Sequence, residues 1–273
     1  MKTQLMTSEK IVENIYKEIK EKITSYNGKY KLSVILIGNN PSSEIYVNIK
    51  RKKAVELGIE FDLHKYNDDE INQEQLLQLI DDLNNDTSVN GILTQFPLNK
   101  KFDEFLVSSR ISPSKDVDQV NPYNVGINLW GKGNKASCTA AGIIKLLEFY
   151  NIDLVGKNVL VIGDSMIVGK PLSSLLINKN ATVTIANKYT KDLKNYTKNA
   201  DVLISATGVK HLIKADDIKE GSVLVDVGVT KENGKIYGDI DYKSTIGKAT
   251  YVTPPTNSVG PLTVAFLMLN IIK

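Results

Sequence analysis

Residues 158–176 read NVLVIGDSMIVGKPLSSLL. A short, β-branched apolar run stops at Gly163, and leucines and serines then recur with helical spacing, which predicts a strand, a glycine-containing turn and a helix. Such a turn brings backbone N–H groups and a helix N-terminus up to a phosphate. The match to the dinucleotide pattern G-x-G-x-x-G is incomplete: Ser165 and Val168 stand at the second and third glycine positions, and Gly169 comes one residue late. Nor is it a Walker A loop, because five residues separate Gly163 from Gly169 and Pro171 replaces the magnesium-binding Ser or Thr. Taken alone, the stretch also fits a tight βα turn without a ligand.

The runs around it widen the reading. ATVTIAN (181–187), DVLISATG (201–208), SVLVDVGV (222–229) and ATYVTPP (249–255) join NVLVIG as predicted strands, buried on both faces of a parallel sheet. Two of them end in glycine where backbone must approach a ligand, which favours a nucleotide crevice at the carboxyl edge. Upstream, KLSVILIG (31–38), IEFDLHKY (59–66) and VNGILTQFPL (89–98) alternate with two helical patterns, giving β-α-β-α-β and an earlier parallel sheet. The first of these helices has Asn40, Ser42 or Ser43 as its cap, Pro41 in its first turn and Gly58 as its stop. Residues 111–138 are rich in Pro, Gly, Asn and Ser without periodicity, as in a linker or a functional loop. TAAGIIKLLEFYNI (139–152) is a predicted helix, and GPLTVAFLMLNIIK (260–273) is an apolar one that requires a docking surface.

A chain of 273 residues suffices for two domains, each of about 100–150 residues with its own core. With 42% hydrophobic and 24% charged residues it is expected to fold throughout, and a net charge of +3 creates no field for nucleic acid or an anionic membrane. The first residues, MKTQLMTSEKIVENIYKEIKEKI, carry glutamates throughout, unlike a signal or transit peptide, and no apolar run reaches the ~18–20 residues of a membrane span. One cysteine, Cys138, and two distant histidines, His64 and His211, allow no internal disulfide and show no zinc spacing. A cytoplasmic location and no bound metal are the resulting expectations.

YVNIKRKKAVELGI (46–59), GILTQFPL (91–98), SPSKDVD (112–118), SCTAAG (137–142), GDSMIVGKPLSSLL (163–176), ATVTIAN, ADVLISATG (200–208), VLVDVGV (223–229) and TPPTNSVGPLTVAFL (253–267) occur in this order. Together they resemble the bifunctional methylenetetrahydrofolate dehydrogenase/methenyltetrahydrofolate cyclohydrolase family, from about residue 30 to the C-terminus. The resemblance implies an α/β fold in two domains. Residues 1–137, completed by a terminal helix at 258–273, would form an N-terminal catalytic domain with parallel strands. Residues 138–257 would form a Rossmann-type dinucleotide domain, with a folate cleft between the two. It further implies tetrahydrofolate substrates, NADP or NAD as cofactor, and a homodimer.

Within YVNIK the resemblance makes Lys50 catalytic and places Tyr46 in the folate site. The i, i+4 spacing puts ring and amine on one helix face. Arg51, Lys52 and Lys53 read as a solvated face; a nucleic-acid patch is the competing reading, with no aromatic interleaving to support it. Gln95 is implied as the partner of Lys50, and an amide orients an amine without stabilising its charge, so that desolvation can lower its pKa toward neutrality. Asp118 is implied to bind the pterin, while Asp116 reads as serving its own loop; a two-aspartate acid pair is the alternative. Pro261 and Leu262 complete the implied folate residues. Gly163, Asp164, Ser165, Val168, Gly169, Lys188, Thr207, Gly208, Gly228 and Val229 are the implied cofactor residues.

The sequence departs from the family at several points. Gln119 and Asn257-Ser258 stand where glycines are usual, Asp164 stands where an arginine meets the 2′-phosphate of NADP, and Ser137-Cys138-Thr139-Ala140 replaces P-C-T-P. These leave NAD against NADP open, with Lys188 able to restore a positive contact. They also keep two other readings: a folate- or nucleotide-binding protein with an impaired dehydrogenase step, and another Rossmann dehydrogenase acting on a small carbonyl or amino acid.

Overall fold

The computed structural model describes residues 2–26, 29–133 and 135–272. Met1 and Lys273, the outer bounds of the expected domains, and Asn134, in the aperiodic stretch, lie outside the described residues. The chain forms two compact units, Glu13–Ile127 with Val264–Lys273, and Met1–Val12 with Asn128–Thr263. These divisions differ from the bounds drawn at 137 and 258. The first residues join the larger sheet because the strand Gln4–Leu5 pairs in parallel with Tyr251–Val252. Asn128 joins it too, its carbonyl accepting from Asn178 Nδ2 at 2.9 Å.

In the unit built on Glu13–Ile127, the parallel sheet runs in the order Glu60–Tyr66, Lys31–Ile37, Gly91–Thr94. The central strand is buried from Leu32 to Ile37, as its continuous apolar run requires. Ile35, Ile37, Leu76, Ile80, Leu83 and Ile92 share one core cluster. The helix Pro41–Glu56 starts at Asn40, whose side chain accepts from the N–H groups of Ser42 (2.9 Å) and Ser43 (3.4 Å), and ends before Gly58 at φ +79°. The helix Gln73–Asn85 starts at a reciprocal box between Asn72 and Gln75.

The aperiodic stretch holds a helix, Pro122–Leu129, which its composition hid. Asn121 Oδ1 accepts the Tyr123 N–H at 2.8 Å and proline occupies the first turn, a start signal present in the sequence. Lys115 anchors the loop before it. Its Nζ donates to the carbonyls of Leu83 (3.0 Å), Asn84 (2.8 Å) and Asp86 (2.7 Å), at the open end of the helix Gln73–Asn85. The terminal helix Val259–Ile271 is apolar on all sides, and near its end Asn270 Nδ2 donates to the Val117 carbonyl at 2.9 Å.

The other unit carries a six-stranded, wholly parallel sheet in the order Gln4–Leu5, Tyr251–Val252, Val223–Asp226, Val202–Ser205, Asn158–Ile162, Thr182–Ala186. From Asn158–Ile162 the chain steps outward to Thr182–Ala186 and then returns to the opposite neighbour, Val202–Ser205. That reversal is the switch point of a Rossmann-type sheet, where a crevice opens at the carboxyl ends. One expectation is corrected: Thr182–Ala186 is not buried on both faces. Thr182, Thr184 and Ile185 are exposed because this is the outermost strand. An antiparallel hairpin, Thr230–Glu232 with Lys235–Tyr237, turns at Asn233-Gly234, both with positive φ.

Buried carboxylates fasten the loops at the carboxyl edge. Asp226, at the end of Val223–Asp226, accepts the N–H groups of Asp239 (3.0 Å) and Ile240 (2.9 Å). Burial, reinforced by the negative charge of Asp239, pushes the Asp226 carboxyl from its ordinary 3.8 up to about 7. The folded state therefore holds this proton more tightly than the unfolded one, so the contribution to stability is full below pH 4 and is lost as pH rises through about 7. Denaturant unfolding of wild type and Asp226→Asn at pH 5 and pH 8 is expected to show wild type losing about 2–3 kcal/mol relative to the variant at the higher pH. Parallel pH dependences would disprove the assignment.

Candidate active site and nucleotide site

Tyr46 and Lys50 project from the helix Pro41–Glu56, with Tyr46 44% exposed and Lys50 partly buried. Lys50 Nζ donates to Gln95 Oε1 at 2.9 Å. Gln95 follows the strand Gly91–Thr94 and precedes the cis peptide Phe96–Pro97. Its backbone N–H is held by the Ile35 carbonyl at 2.9 Å, and its Nε2 donates to the Phe96 carbonyl at 2.8 Å. Both nitrogens are thus engaged with backbone, and the amide oxygen is turned to the lysine. Along the same basic run, Arg51 and Lys52 are exposed, while Lys53 bonds Glu56 at 2.7 Å and lies 4.5 Å from the Tyr16 ring centroid. Arg51 and Lys52 thus form a solvated face, and Lys53 has local partners of its own.

The two aspartates of SPSKDVD have different surroundings. Asp116 is buried, its Oδ2 accepting the Asn121 N–H (2.8 Å) and Asn124 Nδ2 (2.9 Å), and burial raises its pKa. It ties the loop to the start of the helix Pro122–Leu129. Asp118 is the more accessible carboxylate. Between that loop and the helix, Gln119 sits at φ 59°, a conformation usual for glycine, and its Nε2 returns to the Asp116 carbonyl at 2.5 Å. Asn257 repeats the pattern at φ 58°, its carbonyl accepting from the Ser8 N–H (2.9 Å) and Oγ (3.2 Å). Both substitutions keep a left-handed backbone; asparagine does so at low cost, whereas glutamine stores roughly 1–2 kcal/mol of strain.

Pro261 is exposed, but Leu262 is fully buried over Gly142, so its side chain serves packing. Cys138 is also fully buried, opening the helix Cys138–Phe149. Its neighbour Ser137 donates Oγ to the Ile167 carbonyl at 2.8 Å, tying the replaced P-C-T-P segment to the glycine turn.

That turn is compact. Gly163 has φ +110°, and a methyl group on it would overlap the Ala206 carbonyl oxygen; one on Gly169 would overlap the carbonyl oxygen of Gly163. Only glycine fits either place. Asp164 and Ser165 are exposed, Ser165 Oγ accepts the Val168 N–H at 3.2 Å, and no side chain caps the helix Gly169–Asn178 at Val168. Asp164 Oδ2 accepts from Asn187 Nδ2 at 3.1 Å, just past the strand Thr182–Ala186. Lys188 is exposed, 5.0 Å from the Tyr189 ring centroid. Thr207 and Gly208 follow the strand Val202–Ser205, and Gly228 and Val229 follow Val223–Asp226. Every implied cofactor residue thus lies at the carboxyl edge of one sheet, and a close-approach turn beside its switch point fits a dinucleotide phosphate.

Sequence reasoning missed Asn187, Lys115, Asn121, Asn124 and Asp239. Each acts by holding another site residue or its loop, and only Asn121-Pro122 carried a local signal. Among the described residues, no cluster of three or more His, Cys, Asp or Glu could hold a metal ion, and no helix is long and apolar enough to cross a membrane.

Residues 6–118 match the tetrahydrofolate dehydrogenase/cyclohydrolase catalytic domain, and residues 137–273 match the NAD(P)-binding domain of the same family. A bifunctional protein FolD of Aquifex aeolicus is 45% identical over 274 residues, covering 98% of this chain and 94% of its own length. The bifunctional FolD methylenetetrahydrofolate dehydrogenase/cyclohydrolase of Campylobacter jejuni has a TM-score of 0.94 at 41% identity, with 99% of this chain and 97% of that one covered. A Trypanosoma brucei FolD structure, complexed with NADP and an inhibitor, gives 0.93 at 31% identity, with 99% and 96% covered. With both domain matches in place over one chain, and the lysine–glutamine pair and glycine turn each inside its domain, this protein belongs to the tetrahydrofolate dehydrogenase/cyclohydrolase family.

Proposed function

We propose that the chain oxidises 5,10-methylenetetrahydrofolate to 5,10-methenyltetrahydrofolate with a nicotinamide dinucleotide and hydrolyses that product to 10-formyltetrahydrofolate. The observation that carries this reading is the 2.9 Å hydrogen bond from Lys50 Nζ to Gln95 Oε1. The amide oxygen holds the amine in one position, as a proton carrier requires. Lys50 takes a proton as water adds to the methenyl carbon and returns one to N5 as the C–N5 bond breaks; the water's other proton leaves to solvent. Tyr46 offers an exposed ring for stacking, and Asp118 offers two oxygens to the pterin N–H groups. Pro261 is retained as a folate-binding residue on the family resemblance.

The dinucleotide would be held by Gly163, Ser165, Val168, Gly169, Thr207, Gly208, Gly228 and Val229. When bound, its nicotinamide accepts the hydride leaving the methylene carbon, so the protein's part is alignment. Asp164 favours NAD: fixed by Asn187, its carboxylate suits a free 2′-hydroxyl and repels a 2′-phosphate. Lys188 opposes this from an exposed position where salt screens it. A cytosolic homodimer completes the reading. Supplying 5,10-methylenetetrahydrofolate with NAD or NADP is expected to yield both reduced nicotinamide and 10-formyl product; failure to form either refutes the proposal.

Three variants test the parts. Lys50→Met is expected to lower methenyltetrahydrofolate hydrolysis by about 10²-fold or more while dinucleotide affinity stays unchanged. Hydrolysis at the parental rate would remove Lys50 from the chemistry. Asp118→Asn replaces one acceptor with a donor and should weaken folate binding by about tenfold or more, read as KM, with dinucleotide KM little changed. Equal losses for both ligands would point to misfolding instead. For Asp164→Arg, the ratio of kcat/KM is expected to shift toward NADP by about tenfold, equivalent to 1.4 kcal/mol. A parent that strongly prefers NADP, with the ratio unmoved in the variant, would place Asp164 away from the ribose.

A further inference from the structure

Asp239 lies just past the hairpin and is fully buried, and neither the sequence motifs nor the proposed chemistry uses it. Its Oδ2 accepts three hydrogen bonds, from Ser205 Oγ (2.8 Å), the Thr207 N–H (2.7 Å) and Thr207 Oγ1 (2.9 Å). Its Oδ1 is buried without a hydrogen-bond partner and faces Gly228, where an added methyl group would overlap it. One carboxylate thus meets the chain just past two neighbouring strands, Val202–Ser205 and Val223–Asp226. Asp239 is itself held by Asp226, which accepts its N–H, and a methyl on Gly238 would overlap Asp226 in turn. Each carboxylate reaches into the space left by a glycine beside the other.

We infer that Asp239 is a positioning residue for the nicotinamide dinucleotide, setting the course of Thr207-Gly208 and Gly228-Val229 through one buried carboxylate, and that residue 228 is glycine to admit it. The inference rests on the dinucleotide reading above. Buried charges are a weak source of stability, since apolar packing usually serves as well. They are suited to fixing direction: three donors converging on one oxygen orient the 206–207 peptide and the Thr207 side chain together. Thr207 Oγ1 also accepts the Val209 N–H at 3.2 Å, and the Gly208 carbonyl accepts from Thr230 Oγ1 at 3.0 Å, carrying the same order into the loop.

The test compares Asp239→Ala, Asp239→Asn, Gly228→Ala and the Asp239→Ala/Gly228→Ala double variant in the full chain. Three quantities are read: NAD and NADP affinity by fluorescence titration, methenyltetrahydrofolate hydrolysis, which consumes no dinucleotide, and thermal melting. Asp239→Ala is expected to weaken dinucleotide binding by tenfold or more with hydrolysis changed less than twofold. Asp239→Asn, which keeps an oxygen for Ser205 and Thr207, should recover most of that loss. Gly228→Ala should weaken binding in the parent but have less than a twofold further effect beside Asp239→Ala, because the atom it strikes is gone. Additive effects of the two substitutions, or unchanged affinity in Asp239→Ala, overturn the inference while leaving the dinucleotide reading intact. A parent chain that binds neither NAD nor NADP overturns both. If Asp239→Ala does not fold, Gly228→Ala decides alone, and unchanged affinity there rejects the inference.

Discussion

Parallel strands cannot be joined by a tight turn, and that constraint governs everything chemical in this protein. Each strand must be followed by a crossover, so each sheet gathers the loops that leave its strands at a single edge. Gln95 lies just beyond Gly91–Thr94 for this reason, and Gly163, Thr207 and Gly228 lie beyond three neighbouring strands of the other sheet. Residues far apart in sequence become neighbours at an edge without any loop having to reach for them. The first sheet needs one helical residue to complete its pair, and Lys50 supplies it from the helix directly after the central strand.

Loops gathered at an edge still need fixed courses, and here buried polar groups do that work. Lys115 donates to three carbonyls at a helix end, Asp116 accepts from two asparagines, and Asp239 accepts three donors on one oxygen. None of these residues needs to touch a ligand. Each turns a flexible connection into a defined one by giving backbone groups a partner that water would otherwise supply. The cost is desolvation, visible in the raised pKa values of Asp116 and Asp226.

The strands, and the helix face shared by Tyr46 and Lys50, were legible in the sequence because both have short-range signatures. A β-branched run ending in glycine marks KLSVILIG as clearly as NVLVIG, and the i, i+4 spacing of Tyr46 and Lys50 follows from helix geometry alone. The helix Pro122–Leu129 was obscured because asparagine and glycine diluted its periodicity, although Asn121-Pro122 announced its start. Exposure of Thr182–Ala186 was illegible for a different reason: an outermost strand and a central one can share the same composition, and only strand order tells them apart. The two-residue strand Gln4–Leu5 lies below any periodic signal. Asp239 was the hardest to read, since its partners Ser205 and Thr207 are more than thirty residues away. Asn257 and Gln119 looked like departures from a glycine pattern, yet each adopts the left-handed backbone that glycine favours.

The chain's route through its two units bears on how the protein is made. The unit that holds Lys50 and Gln95 draws its last segment from residues 264–273, where Asn270 reaches the Val117 carbonyl and Ile271 lies beside Gly91. The other unit takes its edge strand from Gln4–Leu5, whose partner Tyr251–Val252 is some 245 residues downstream. During synthesis, neither unit can complete its core until that downstream segment has left the ribosome. The three-stranded sheet must wait with an apolar face uncovered through the 136 residues that separate Ile127 from Val264. Folding of this unit is thereby tied to a segment far downstream, and a chain cut before Val264 would leave that surface exposed and prone to association.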